Sequence, residues 1–562
     1  MHARSPEVTM TGEPPQPLVT EDEPVHGTFG CERTVLVIAR TITSTARLLD
    51  ALRFFRDDFR VDLVFTVNDT SRHSTGVHEL LRDARADRIV PWDQVRKVPY
   101  ALAISASENV DFDELDLSRP VVVLPHGIGF NKYVPDPKTG GTRLAGLPSE
   151  YALRTGNVLV TLANEAQDRQ LRAVRPEVAG RTAVVGDPTF DQLRASLPLR
   201  DRYRRALGLR GRKLVLLSST WREEGLLGTH RGLAERLLAQ LPADEYAVAL
   251  AMHPNIWSWY GELRVRTWFA DAVDAGLLLL PPDGGWQASL VAAHQVVGDH
   301  GSVSLYAACL GKPLLLAAFG AESVPGTPVE VLQRGADHLE VRGDVLEQLE
   351  RSSREHDPER FAALSEQVFA HLGDASRVLR DVLYDRLGLP APDREAPLLR
   401  PADPAPHRRE PASFEVFTEF TAPDAVVLRR YPAAVRRADD PADLDGGAQR
   451  HLAVDEDEPR LARHQSAAVL ARGAVTNEAD ALAWLSRSGI DFPGARIRAA
   501  ATADGCLATV RNGPAVRIAT DRPAVAMLAA SALYALVVAG RRAQQVTVVS
   551  GAQEFRMTVS ER

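Results

Sequence analysis

The sequence predicts an α/β protein built from two tandem doubly wound domains, with a small α+β domain appended at the C-terminal side. Three observations carry that prediction. Short apolar, β-branched runs alternate with amphipathic segments from Thr34 onward, and the same alternation restarts at Lys213 after a charged stretch. Beyond a proline-rich stretch that begins at Leu389 it is lost.

The first domain is expected over residues 33–195. Thr34–Ala39, a helical Ala46–Phe55 and Val61–Thr66 have the spacing of a parallel strand–helix–strand unit. Runs at Tyr100–Ser105, Val121–Pro125, Asn157–Leu162 and Thr182–Gly186 follow. Each is almost continuously apolar, as a strand covered on both faces should be. The second domain, 210–387, repeats the theme at Lys213–Ser218, Tyr246–Met252, Gly276–Leu280, Gln295–Gly298 and Pro313–Ala318. Helical patterns from Asp344 to Leu387 could brace either half. Prolines and charges without an apolar period make 388–412 a linker. In 413–562, a helical Ala479–Leu485, a hairpin signal at Asn512-Gly513, an apolar helix and a strand pair around Ser550-Gly551 make an α+β unit. Residues 1–32, rich in acid and proline, are expected to form a disordered tail and argue against secretion.

Composition narrows the function. At 562 residues and 45% hydrophobic, the chain can bury several cores. Lys and Arg number 66 against 74 Asp and Glu, a net charge of −8, so no nucleic-acid partner is expected. Cys31, Cys309 and Cys506 lie far apart without metal-ligand spacing, which argues against a disulfide framework or a zinc knuckle and suits a cytoplasmic protein. The apolar stretch Pro523–Gly540 is shorter than a usual span and includes Ser531, so a buried helix is expected and no stable membrane insertion.

Candidate site residues sit where strands end. His126-Gly127 follows a buried run; His126 can accept a proton from an attacking hydroxyl, or be a plain loop histidine. Lys132 can balance phosphate charge or sit exposed on the loop. His253-Pro254 ends a run in the second domain, where proline stops the strand; a turn histidine is the alternative. Asp299, Gly301, Ser302 and Ser304 form a strand, small-residue turn and helix start that would aim free N–H groups at a phosphate. The plainer reading makes Asp299 or Ser302 a helix cap. Thr220 and Arg222 end the strand that opens the second domain, and Arg222 can fork onto a phosphate or pair with an acid such as Glu223.

Over about 120–350 these segments resemble the glycerophosphotransferases that use CDP-glycerol in teichoic acid synthesis. More broadly they resemble sugar-nucleotide enzymes of the two-domain, Rossmann-like GT-B architecture, UDP-N-acetylglucosamine 2-epimerases among them. His126-Gly127 with Lys132 is similar to an HGTPLK loop, Gly186-Asp187-Pro188 with Asp191 to a GxPRxD turn, and Thr220–Glu223 to PTWRD. Asp299–Pro313 aligns without a gap with DYSSVxFDYxxLGKP, with departures that include His300, Gly301 and Tyr306.

The resemblance implies a transferase for a glycerophosphate or glycosyl group, with a nucleotide-diphosphate donor (CDP-glycerol or a nucleotide-sugar) and no cofactor or metal. His126 would be the base, and Gly127, Lys132, Thr220, Arg222, His253, Asp299, Gly301, Ser302 and Ser304 would bind the donor and its phosphates. The rivals are an epimerase-like enzyme and a non-catalytic nucleotide-sugar sensor whose C-terminal domain binds a protein partner. The sequence is also similar to actinobacterial proteins sometimes labelled translation initiation factor 2. That label implies a GTPase, and the chain has no GxxxxGK[ST] loop.

Overall fold

The computed structural model describes residues 30–136, 140–147, 149–437, 448–522 and 525–561. The expected tail lies outside the described residues apart from 30–32, as does Pro523 of the apolar stretch.

The first sheet has seven parallel strands in the spatial order Ile89–Val90, Val61–Val67, Arg33–Ala39, Leu102–Ser105, Pro120–Val123, Asn157–Leu162 and Thr182–Val184. Chain order reverses between Arg33–Ala39 and Leu102–Ser105. The second sheet has six parallel strands: Leu278–Leu279, Tyr246–Met252, Lys213–Ser219, Gln295–Gly298, Leu314–Leu316 and Asp337–His338. Its reversal falls between Lys213–Ser219 and Gln295–Gly298. Strands such as Tyr246–Met252 are buried at every position, because helices cover both faces. These are two doubly wound units, and each opens a crevice at its reversal point, beyond the carboxyl ends of the strands.

The helices after the second sheet divide their packing. Val345 and Leu349 enter the core of the second lobe, whereas Leu379, Leu383 and Leu387 of helix Ala375–Leu387 return to the core of the first. Asp191 secures the crossing by accepting the N–H groups of Gly373 at 2.7 Å and Ala375 at 2.9 Å. Gly186 (φ +76°) lets the chain pass so close that a Cβ there would lie 2.2 Å from the Ala370 carbonyl.

Segment 388–412 runs along both lobes as a strap. Pro390 accepts from Arg60, Leu399 accepts from Gln192 at 2.6 Å, Pro401 accepts from the Tyr203 hydroxyl at 3.0 Å, and His407 bridges Leu279. Its prolines suit an extended path that bonds mainly through carbonyls.

The C-terminal part, expected as α+β, is a closed barrel of nine strands: Ser413–Ala422, Ala425–Pro432, Gln545–Ser550, Gln553–Glu561, Ala515–Thr520, Gly505–Val510, Ile497–Thr502, Val469–Arg472 and Gln449–Asp455. The apolar helix Ala526–Val538 packs into the core it shares with these strands, which is why it is apolar nearly all round. Among the described residues no helix is long and apolar enough to cross a membrane. The barrel is fixed to the second lobe through Asp244, whose carboxylate accepts from Arg430 at 2.8 Å and from Ser550 at 2.6 Å. Burial opposes ionisation of Asp244, but Arg430, the Ser550 hydroxyl and Arg212 together hold the carboxyl below its ordinary range.

Candidate functional site

A cleft of about 880 Å³ separates the two lobes, with walls formed by loops at the carboxyl ends of both sheets and one rim formed by Leu399–Ala402 of the strap. Eight of the ten residues singled out from the sequence line it: His126, Gly127, Lys132, Thr220, Arg222, His253, Gly301 and Ser302.

His126 lies just past strand Pro120–Val123. Its Nδ1 is 3.1 Å from the carbonyl of Ala106, which continues the adjacent strand Leu102–Ser105. A carbonyl oxygen only accepts, so Nδ1 carries the hydrogen and the lone pair of the neutral ring is on Nε2. Gly127 follows because the second lobe comes close: a Cβ there would sit 3.2 Å from the Ser302 hydroxyl, which accepts the N–H of Ile128 at 3.3 Å.

Ser302 opens helix Ser302–Cys309. The residue before it, Gly301, supplies no side-chain cap, so the first N–H groups of this helix start at the cleft without one. His253 caps helix Pro254–Tyr260 through Nδ1, which accepts the Asn255 N–H at 3.1 Å and leaves the ring hydrogen on Nε2. Burial, with the charges of His126, Lys132 and His73, lowers its pKa to about 3. His253 is therefore neutral here, with Nε2–H as its free donor.

Lys132 reaches across the cleft to the Thr220 hydroxyl at 2.9 Å and to Glu322 at 3.4 Å. Its backbone pairs with Ser323. Burial pulls its ammonium below the ordinary range, while Glu322 and Asp299 pull the other way. Arg222, held at φ +81°, stacks on Trp221 at 4.4 Å and comes within 3.8 Å of Glu322. Glu322 was not legible as a site residue. It bonds His300 Nε2 at 2.9 Å, while His300 Nδ1 accepts the Gly320 N–H at 3.2 Å. Burial disfavours the Glu322 carboxylate, but the His300 bond and the charges of Lys132 and Arg222 prevail and lower its pKa.

Two expected ligand residues have other places. Asp299 is fully buried, and backbone groups occupy its carboxylate: Oδ2 accepts the N–H of Thr220 at 2.7 Å and of Leu226 at 2.8 Å, and Oδ1 that of Gly301 at 2.9 Å. It pins the two loops that form the second-lobe wall and touches no ligand space. Ser304 is also fully buried, packed against Gly298 with its hydroxyl unpartnered among the described residues. The reason is periodic: at about 100° per residue, positions two apart point in nearly opposite directions, so Ser302 at the cleft puts Ser304 against the sheet.

Tyr306, where the resembled pattern has an acid, donates its hydroxyl to Asp187 Oδ2 at 2.5 Å, and Arg47 holds Asp187 Oδ1 at 2.9 Å. A first-lobe carboxylate thus meets this helix from the opposite side. Among the described residues, no group of three or more His, Cys, Asp or Glu is placed to hold a metal ion.

No protein-family model and no curated protein matches the chain. Among solved structures it is similar to the wall teichoic acid polymerase TagF with CDPG, at 13% identity over 64% of this chain and 90% of that one, with a TM-score of 0.42. It is similar to UDP-GlcNAc 2-epimerase from Neisseria meningitidis bound to UDP-GlcNAc, at 14% identity over 63% of this chain and 100% of that one, TM-score 0.42. The S. aureus MnaA–UDP structure matches at 12% identity over 66% and 99%, TM-score 0.39. At this level of likeness the chemistry of the site rests on its own residues.

Proposed function

We propose that the chain transfers a glycerophosphate or glycosyl group from a nucleotide-diphosphate donor to a hydroxyl acceptor. The observation that supports this most is the pairing across one cleft of a histidine with its lone pair assigned to Nε2 and an uncapped helix start at Gly301-Ser302. The helix start would take the donor diphosphate, with His253 Nε2–H and Arg222 as further donors. His126 Nε2 would accept the acceptor's hydroxyl proton as its oxygen attacks.

With a CDP-glycerol donor the new bond is oxygen to β-phosphorus, the bond to the α-phosphate oxygen breaks, and CMP leaves. With a nucleotide-sugar the new bond is oxygen to the anomeric carbon, and the nucleoside diphosphate leaves. Either way the leaving group gains charge beside fixed dipoles and cations, where such charge is stabilised.

The test is nucleotide release by the purified chain from CDP-glycerol and a panel of UDP-, GDP- and dTDP-sugars. Release of CMP or a nucleoside diphosphate from one of them is expected. Failure of every donor to bind or turn over contradicts the reading.

A further inference from the structure

The first-lobe wall of the cleft has buried polar side-chain atoms with nothing to bond. Arg40 Nε, Thr43 Oγ1 and His73 Nδ1 are buried without a partner among the described residues, and all three residues line the cleft. No second-lobe residue lining the cleft has such an atom among the described residues. Most buried polar groups in folded proteins are paired, and unpartnered atoms that line an open cleft, as these three and Arg53 Nε do, are placed to be completed by a ligand, unlike the unpartnered atoms of Ser304 and His451, which lie outside its lining.

Their position is specific. Arg40 follows the first strand at the point where chain order reverses, Thr43 lies in the first turn of helix Ile42–Leu52, and His73 stands edge-on to Trp221 at 5.2 Å. The neighbouring arginine Arg47 is consumed by Asp187 and Thr189. Arg53, also orphaned, lies at the far end of the helix, roughly 16 Å along an 11-residue axis at 1.5 Å per residue, and belongs to a separate neighbourhood with Asp50.

The charges around the three are mixed. Glu108 and Asp111 face Arg40, and neither is within 4 Å of its guanidinium among the described residues; Arg40 and Arg222 both face His73. Burial pushes both Arg40 and His73 below their ordinary values, as expected of a guanidinium and a ring with no anion between them.

We propose that Arg40, Thr43 and His73 form a subsite for a phosphate or carboxylate oxyanion, which in the transfer reading above is borne by the acceptor. A guanidinium, a hydroxyl and an imidazole N–H match the several acceptor oxygens of such a group, and an uncharged hydroxyl compound would leave Arg40 unpaired. The assignment of the anion to the acceptor rests on that reading; the subsite itself does not.

The experiment is calorimetric titration of the full chain, saturated with CDP, with glycerol 3-phosphate, inorganic phosphate and glycerol. Glycerol 3-phosphate and phosphate should each bind once with CDP in place, and glycerol should not. Arg40→Gln should weaken both by at least about tenfold, and Thr43→Val severalfold, with CDP affinity within about twofold. The melting temperature of ligand-free Arg40→Gln should fall little, because the guanidinium has no hydrogen-bonded partner among the described residues to lose. Lack of anion binding, competition with CDP, or unchanged affinity in Arg40→Gln overturns the proposal. If CDP and UDP fail to bind while phosphate still binds in an Arg40-dependent way, the transfer reading falls and the subsite stands.

Discussion

His126 donates its Nδ1 hydrogen to the carbonyl of Ala106 at 3.1 Å, and this one bond leaves the ring's lone pair on Nε2. The two residues follow neighbouring strands, so the ring is set by the sheet and not by a loose loop. His126→Ala should lower turnover by about 10²–10⁴-fold, the usual worth of a positioned base, with donor affinity within about twofold. Single-turnover rates alongside donor titration measure both, and unchanged turnover removes His126 from the chemistry.

Asp299→Asn tests the buried staple. The amide keeps one acceptor oxygen where the carboxylate offers two, so at least one of the N–H groups of Thr220, Leu226 and Gly301 loses its partner. The cost should be about 1–3 kcal/mol in denaturant unfolding, with donor binding weakened because both wall loops lose their tie. A variant that keeps full stability but loses only donor binding would make Asp299 a ligand residue instead.

Ser302 and Ser304 should behave oppositely. Ser302→Ala removes the acceptor for the Ile128 N–H and a hydroxyl at the cleft, so donor affinity should drop. Ser304→Ala removes a buried hydroxyl with no partner, so stability should hold or rise and turnover should stay within about twofold. The paired comparison of donor affinity and melting temperature reads both.

Acid sensitivity should trace in part to the barrel. His451 is buried against Tyr534, with ring centroids 4.3 Å apart and both nitrogens unpartnered among the described residues, and burial lowers its pKa to about 3. Above about pH 6.5 the ring is neutral folded and unfolded, so it adds no pH dependence. Between there and about 3 only the unfolded chain takes the proton, and stability falls by about 1.4 kcal/mol per pH unit. His253 acts in the same direction. Unfolding free energies of His451→Phe should therefore fall less steeply than those of the unaltered chain between about pH 6 and pH 4. Equal slopes would contradict the burial of a neutral ring.

Much of this was legible in the sequence. Near-continuous apolar strands such as Tyr246–Met252 foretold two parallel sheets, and strand ends foretold His126, Gly301 and Ser302 at a cleft. The hairpin at Asn512-Gly513 joins Gly505–Val510 to Ala515–Thr520. Other features depend on partners distant in the chain. Asp299 reads as ligand or helix cap, and its role as a staple shows only when Thr220, 79 positions away, folds onto it. Glu322 carries no motif, and only the return of its loop to Lys132 reveals it. Ser304 was within reach, since the helical period already separates it from Ser302. Closure of the barrel needs parallel pairs such as Ala453 with Val469, which local pattern does not encode.

The most direct measurement is a structure of the chain with CDP or UDP bound. The diphosphate is expected at the N–H groups of Ser302 and Val303, within reach of His253 Nε2, with His126 still bonded to Ala106 on the facing wall. A diphosphate bound away from that helix start, or a His126 ring turned out of the cleft when the nucleotide is in place, would contradict it.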